Sequence, residues 1–268
     1  MGNRVKGGIM EKQVLFTKSE GIAIVTLNRP EAANALSVQM LKELNELLYK
    51  IKYDKSIRCV ILTGAGEKAF CAGADLKERS EMPIEEVPKV VGLIRDNINC
   101  LENLPQPVIA AINGVALGGG TELALACDIR LAAQSAKLGL TETSLGIIPG
   151  AGGTQRLPRL IGKGRAKELI FTARKIDAQE AEKIGLVEYT SPLENLMESA
   201  MELAKQISKN GPIAIRQAKM AIDKGYNVDL FTGLAIEQAA YEITIPTKDR
   251  LEGLQAFREK RSPNYKGE

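Results

Sequence analysis

The sequence predicts an α/β fold in which a largely parallel sheet is interleaved with helices and followed by a C-terminal part made of helices. Three observations carry this. Short, continuous apolar runs at Cys59-Val60-Ile61-Leu62-Thr63, Val108-Ile109-Ala110-Ala111-Ile112 and residues 129–133 have the length and character of strands buried on both faces. Stretches with apolar residues at helical spacing separate them, and this alternation argues for right-handed βαβ units. Beyond Gly153 the pattern turns to helices.

Taken in order, residues 14–27 hold two short β-type runs around the turn residues Ser19-Glu20-Gly21, which predicts an opening hairpin. Leu36, Met40, Leu44, Leu47, Leu48 and Ile51 then follow helical spacing, with Ser37 as N-cap. After the buried strand at 59–63 comes Gly64-Ala65-Gly66-Glu67-Lys68-Ala69, close to a dinucleotide-binding fingerprint. That fingerprint needs a helix to start at once. Here 69–74 reads instead as a small-residue loop, with a helical pattern only from Asp75, so the match is discounted. A helix is expected over 85–104, ended by Pro105-Gln106-Pro107. Gly114 to Gly118 is read as a close-packed turn, and a short helix runs from the glycine triplet to about Cys127. Capping-box spacing marks helix starts at Asp177 and at Ser191, the latter with Pro192 in the first helical position. The remaining helices are expected over 192–209, 212–224, 228–241 and 247–260. The first twelve residues are read as a disordered leader, with Met10 as an alternative start.

Composition excludes several kinds of chemistry. The chain has 268 residues, 44% of them hydrophobic, and no histidine, so a histidine base, a histidine metal ligand and a His-dependent triad are ruled out. Acid–base work near neutral pH must fall to other side chains, with carboxylates leading. A net charge of +3 from 36 basic and 33 acidic residues gives little reason to expect nucleic acid as the main partner. The four cysteines are widely spaced without a Cys-x-x-Cys pair, and no apolar segment has signal or membrane-spanning character. The expectation is a soluble intracellular protein with reduced thiols, cytoplasmic or, after loss of a transit peptide, in the mitochondrial matrix.

Residues 111–153 are where the chain concentrates its chemistry. Glu122 follows Gly118-Gly119-Gly120, and Glu142 precedes Ile147-Ile148-Pro149-Gly150-Ala151-Gly152-Gly153. Either acid alone could be a favourable first-turn residue of a helix. Two of them in glycine-rich, apolar surroundings suggest a site where bare backbone N–H groups meet an anion.

These residues resemble the crotonase, or enoyl-CoA hydratase/isomerase, superfamily. The match runs from about Val14 to the C-terminus, strongest at Ala69-Phe70-Cys71-Ala72-Gly73-Ala74-Asp75-Leu76, at Asn113 to Asp128, and from Glu142 through Gly153-Thr154-Gln155-Arg156-Leu157. Leu76-Lys77-Glu78-Arg79 and the stretch 245–253 look like the hydratase branch that includes 3-methylglutaconyl-CoA hydratase with its described AU-rich RNA binding. The resemblance implies a spiral of ββα units over residues 13–190 and a helical trimerisation subdomain over 191–268, giving trimers or dimers of trimers. It implies an acyl-CoA substrate and no cofactor or metal. The backbone N–H groups of Ala74 and Gly119 would form the oxyanion hole, and Glu122 and Glu142 the catalytic pair, with Glu122 assigned as base and Glu142 as acid. Ala72, Phe257 and Lys260 would contact the CoA, Phe257 and Lys260 being spaced i and i+3 on the last helix. One departure is Ala33 before Asn34, where the family often carries a lysine that meets phosphate.

Keeping both carboxylates favours a hydratase over relatives that isomerise, dehalogenate or decarboxylate. Enoyl-CoA hydratase is the leading reading and 3-methylglutaconyl-CoA hydratase the alternative; sequence leaves open whether Arg79, Lys77 or Arg95 reaches the acyl pocket to meet a distal carboxylate. An RNA-binding scaffold is the reading from another class. Its candidate surface carries Lys42, Lys50, Lys52 and Lys55, interleaved with Glu43, Glu46 and Asp54 as on a mixed, solvated face.

Overall fold

The computed structural model describes residues 12–268. The expected leader therefore lies, but for Lys12, outside the described residues, as does Met10. A six-stranded sheet has the order β1-β2-β3-β5-β7-β10 and a four-stranded sheet the order β4-β6-β8-β9. β1 (Val14–Ser19) and β2 (Ile22–Leu27) form the opening hairpin. The joins from β2 to β3 (Cys59–Gly64), β5 (Val108–Ile112), β7 (Ile129–Ala133) and β10 (Tyr189–Ser191) are all parallel. Every residue of β3 and β5 is buried, as their unbroken apolar character requires.

The second sheet explains the spiral. β4 (Ala69–Cys71), β6 (Val115–Leu117) and β8 (Lys137–Gly139) each follow a strand of the large sheet, so the chain steps from one sheet to the other before its next helix. β9 (Ile176–Asp177) closes the small sheet against β8. Two expectations are corrected here: 69–71 is strand rather than loop, and the close-packed turn at 114–118 contains β6. Each strand is three residues long and carries small side chains, too little for a period-2 pattern to show. No helix follows Gly64 and Gly66, which bears out the rejection of a dinucleotide site.

α1 (Val38–Tyr53) starts where Ser37 accepts the Met40 N–H, and it buries Met40, Leu41, Leu44, Leu48 and Ile51. α2 (Leu76–Ser80) is capped by Asp75, and α3 (Val87–Glu102) buries Ile94, Ile98 and Leu101. α4 (Gly119–Leu125) is buried throughout. α5 (Gly153–Ile161), α6 (Lys163–Thr172) and α7 (Ala178–Lys183) lead to the C-terminal helices, and Asp177 caps α7 as expected by accepting the Glu180 N–H.

At Ser191 the capping box does not form. Ser191 ends β10, Pro192 is extended, and a 3-10 turn at Leu193–Asn195 precedes α8 (Leu196–Ser208), whose N-cap Asn195 makes no side-chain cap bond. Strand pairing with β7 holds Ser191 in the sheet and displaces the helix start. α8 packs on β2, β3, β5 and β7 through Leu196, Ala200 and Ala204. α9 (Pro212–Gly225) and α10 (Leu230–Thr244) pack against each other, and α11 (Lys248–Glu259) starts at the cap Thr247. Leu230, Phe231, Leu234 and Tyr241 of α10 are exposed in the single chain.

Candidate active site

A cavity of about 550 Å³ opens where α2, α3, the start of α4 and the segment 141–151 converge. Glu122, Glu142, Ala72, Ala74 and Gly119 all line it. A larger cleft of about 1060 Å³ lies between the core and α9–α10; two ion pairs line it, Asp128 with Lys219 at 2.8 Å and Arg156 with Glu102 at 2.6 Å, and none of the expected site residues does. The smaller cavity holds both glutamates, and with them a buried carboxylate oxygen, Glu142 Oε2, that has no partner.

Close backbone packing builds the site. α4 enters against β4 so tightly that a Cβ on Gly120 would lie 1.9 Å from the Cys71 carbonyl oxygen. Gly73 turns at φ +95°, a region open to glycine, with the Leu117 carbonyl 2.7 Å from where its Cβ would be. The 72–75 segment is hung on the chain before α1: Ala72 N–H donates to Ala33, Leu36 N–H to Gly73, and Asp75 N–H to Leu36. Ala33 contributes its carbonyl to holding this segment and has no side-chain cation to offer a phosphate. Ala74 pairs with Leu36 as an isolated bridge, and its own N–H finds no acceptor among the described residues. Gly119 is the first residue of α4, so its N–H is also free. A Cβ on Gly119 would be 3.7 Å from the Ala74 nitrogen and one on Gly73 3.2 Å from the Gly119 nitrogen, so the two free donors belong to backbone stretches packed against each other.

The two glutamates differ in their surroundings. Glu122 is 3% exposed, and its Oε1 accepts from Ala151 N–H and Gly153 N–H, both at 2.8 Å. Burial pushes its carboxyl up, against these two N–H groups and Arg156, which favour the charged form. Glu142 opens the 3-10 turn Glu142–Leu145, and its buried Oε2 has no partner. Burial, reinforced by repulsion from Glu122, pushes its carboxyl up to about 7. Glu122 is therefore the better carboxylate and Glu142 the better neutral acid, the ordering that base and acid require. Sequence located both acids; the donors to Glu122 sit about thirty residues on, in the glycine-rich entry to α5, and only the fold brings them together.

The residues expected to face CoA divide. Ala72 lines the cavity, whereas Phe257 and Lys260 do not. Phe257 is 86% exposed on α11; Lys260 is the C-cap, with φ +53°, and so lies past the helix rather than on its i+3 face. The cavity also has an arginine that sequence could not single out, Arg79. No group of three or more potential metal ligands occurs among the described residues. All four cysteines are free, and burial raises the Cys59, Cys71 and Cys127 thiols to about 12, away from nucleophilic use. No helix among the described residues is long and apolar enough to cross a membrane.

The profile of the enoyl-CoA hydratase/isomerase family matches residues 17–268. The chain belongs to that family. It is 63% identical over 259 residues to a Bacillus subtilis protein named for enoyl-CoA hydratase/isomerase, covering 96% of this chain and all of that one. It is 55% identical over 260 residues to the mitochondrial methylglutaconyl-CoA hydratase of Mus musculus, covering 95% of this chain and 82% of that protein. The crystal structure of enoyl-CoA hydratase from Bacillus anthracis superposes with a TM-score of 0.95 at 61% identity, covering 96% of this chain and 100% of that one. The two-sheet spiral is thus the crotonase fold, and family membership implies a CoA thioester substrate.

Proposed function

We propose that this family member is an enoyl-CoA hydratase, adding water reversibly and syn to a 2-enoyl-CoA to give a 3-hydroxyacyl-CoA. The observation that carries the reading is the pair of glutamates, one supplied with N–H donors and one without, in the cavity that also holds two adjacent free backbone N–H groups.

The thioester oxygen accepts from Ala74 N–H and Gly119 N–H, which stabilise the negative charge that builds there as hydroxyl adds to Cβ. A water held between the carboxyl groups gives its proton to Glu122 while its oxygen bonds to Cβ. Glu142 delivers its own proton to Cα on the same face. One water is consumed, and a proton passing from Glu122 back to Glu142 resets the pair. Ala72 would meet the nucleotide end of CoA through its backbone. Phe257 and Lys260 would do so beyond the cavity, and an assembly of trimers would bury the apolar face of α10. Hydration of crotonyl-CoA, followed by loss of the enoyl-thioester absorbance, tests the reading; a purified protein that turns over no 2-enoyl-CoA overturns it.

The similarity to methylglutaconyl-CoA hydratase supports a second reading, in which the acyl group is a branched dicarboxylate. Turnover of 3-methylglutaconyl-CoA compared with crotonyl-CoA decides between them. RNA binding has weaker support, because acids hold their places on the α1 face: Glu43 accepts the Gln13 and Val14 N–H groups, and Asp54 pairs with Lys18.

A further inference from the structure

Among the cations near the site, Arg79 alone lines the cavity; Lys77 and Arg95 are exposed outside it. Its guanidinium makes no hydrogen bond or ion pair with any described residue, whereas Arg29, Arg130, Arg156, Arg174 and Arg261 are each paired with a carboxylate. A planar fork of five donors that has no partner of its own, on a residue that lines the cavity, is a ready receptor for a carboxylate.

Its place in the cavity says which end of a substrate it meets. α2 begins two residues after Ala74, the residue offered to the thioester oxygen, with Asp75 as its cap, and Leu76 and Arg79 share one face of it at i and i+3. Ala72, on the other side of Ala74 along the chain, faces the expected nucleotide end. The acyl group would then run from Ala74 along the α2 face, between Leu76 and the apolar side chains Val91, Ile94 and Ile148, with Arg79 just under one helical turn beyond Leu76. A neutral alkyl chain gives such a cation nothing to bind.

We infer that Arg79 is a specificity-determining residue that pairs with a carboxylate at the far end of the acyl chain, so that the favoured substrates are 2-enoyl-CoA thioesters of dicarboxylic acids. This rests on the hydratase reading for its chemistry, but its binding step can be measured without turnover.

The experiment is calorimetric binding of two unreactive saturated thioesters, glutaryl-CoA and butyryl-CoA, to the full chain and to Arg79→Gln and Arg79→Lys. A charge-assisted, bidentate contact predicts that the wild type binds glutaryl-CoA about 10- to 100-fold more tightly than butyryl-CoA. In Arg79→Gln that ratio should fall to about one while butyryl-CoA affinity changes less than about two-fold; Arg79→Lys should restore part of the ratio as a point charge. Equal binding of both thioesters by the wild type overturns the inference. So does an equal loss with both in Arg79→Gln, which would mean that the arginine holds the CoA or the fold. Turnover of crotonyl-CoA and 3-methylglutaconyl-CoA by the wild type is read in parallel: a protein that shows the binding ratio but hydrates neither leaves Arg79 recognition standing and removes the hydratase reading.

Discussion

Glu142→Gln should make the enzyme worse and the fold more stable, with the second effect confined to higher pH. Glutamine keeps the shape and a polar end but has no proton to give to Cα, and loss of a general acid typically costs about 100- to 10,000-fold in rate. The stability effect follows from the raised carboxyl. Between its ordinary 4.5 and about 7, the folded protein holds a proton that the unfolded chain releases, so this group favours the fold fully below 4.5 and progressively less as pH rises through about 7. Taken at face value the shift is worth about 3 kcal/mol above pH 7; because Glu142 keeps partial contact with solvent, about 1 to 2 kcal/mol is the reasonable size. Urea unfolding at pH 8 should therefore put Glu142→Gln above the wild type by that amount, and the gap should close at pH 4.5. Crotonyl-CoA hydration gives the rate. The reasoning is refuted if turnover stays near wild type, or if the mutant is the less stable protein at pH 8 with its fold otherwise intact.

The same group should set the alkaline limb of the hydration profile: kcat/KM falls as pH rises through about 7, because the proton donor is lost, and a flat profile to pH 9 would count against Glu142 as the acid. Combining Glu142→Gln with Glu122→Gln should cost far less than the sum of the two single losses, since both act on one water; additive losses in crotonyl-CoA turnover would show independent roles. Gly119→Pro removes one oxyanion donor at the first position of α4, where proline suits a helix and the chief new neighbour is the movable Leu36 side chain, 3.3 Å from the added Cβ. A drop of at least about 100- to 1,000-fold in kcat with circular dichroism retained is expected, since the ring carbon that replaces the N–H also crowds the thioester oxygen, and unchanged kcat would remove Gly119 from the hole. The exposed Leu230, Phe231, Leu234 and Tyr241 of α10 should be buried between subunits, so light scattering should return an oligomer at micromolar concentration and Leu234→Glu should weaken it; a monomeric wild type would sink this expectation.

What the sequence determined by itself follows from interactions that are local or strongly patterned. Continuous apolar runs marked β3, β5 and β7, helical spacing marked α1 and α3, and side-chain caps at Ser37 and Asp177 formed where the chain announced them. Glu122 and Glu142 were legible because acids in glycine-rich, apolar surroundings are anomalous, and the absence of histidine left carboxylates to lead. Tertiary structure decided the rest. Ala69–Cys71 and Val115–Leu117 are strands only because a second sheet exists to pair them, and Ser191 lost its cap to a strand partner some sixty residues earlier. The proposed oxyanion donors are main-chain groups, which every residue possesses, so their being free at Ala74 and Gly119 is a fact of packing. The choice of Arg79 over Lys77 and Arg95 turns on which helix face meets the cavity. The inequality of the two glutamates arises because N–H groups from the entry to α5 reach Glu122 and none reaches the buried Oε2 of Glu142: an acid's strength is set by the groups that surround its charge, and those groups come from parts of the chain that only folding brings together.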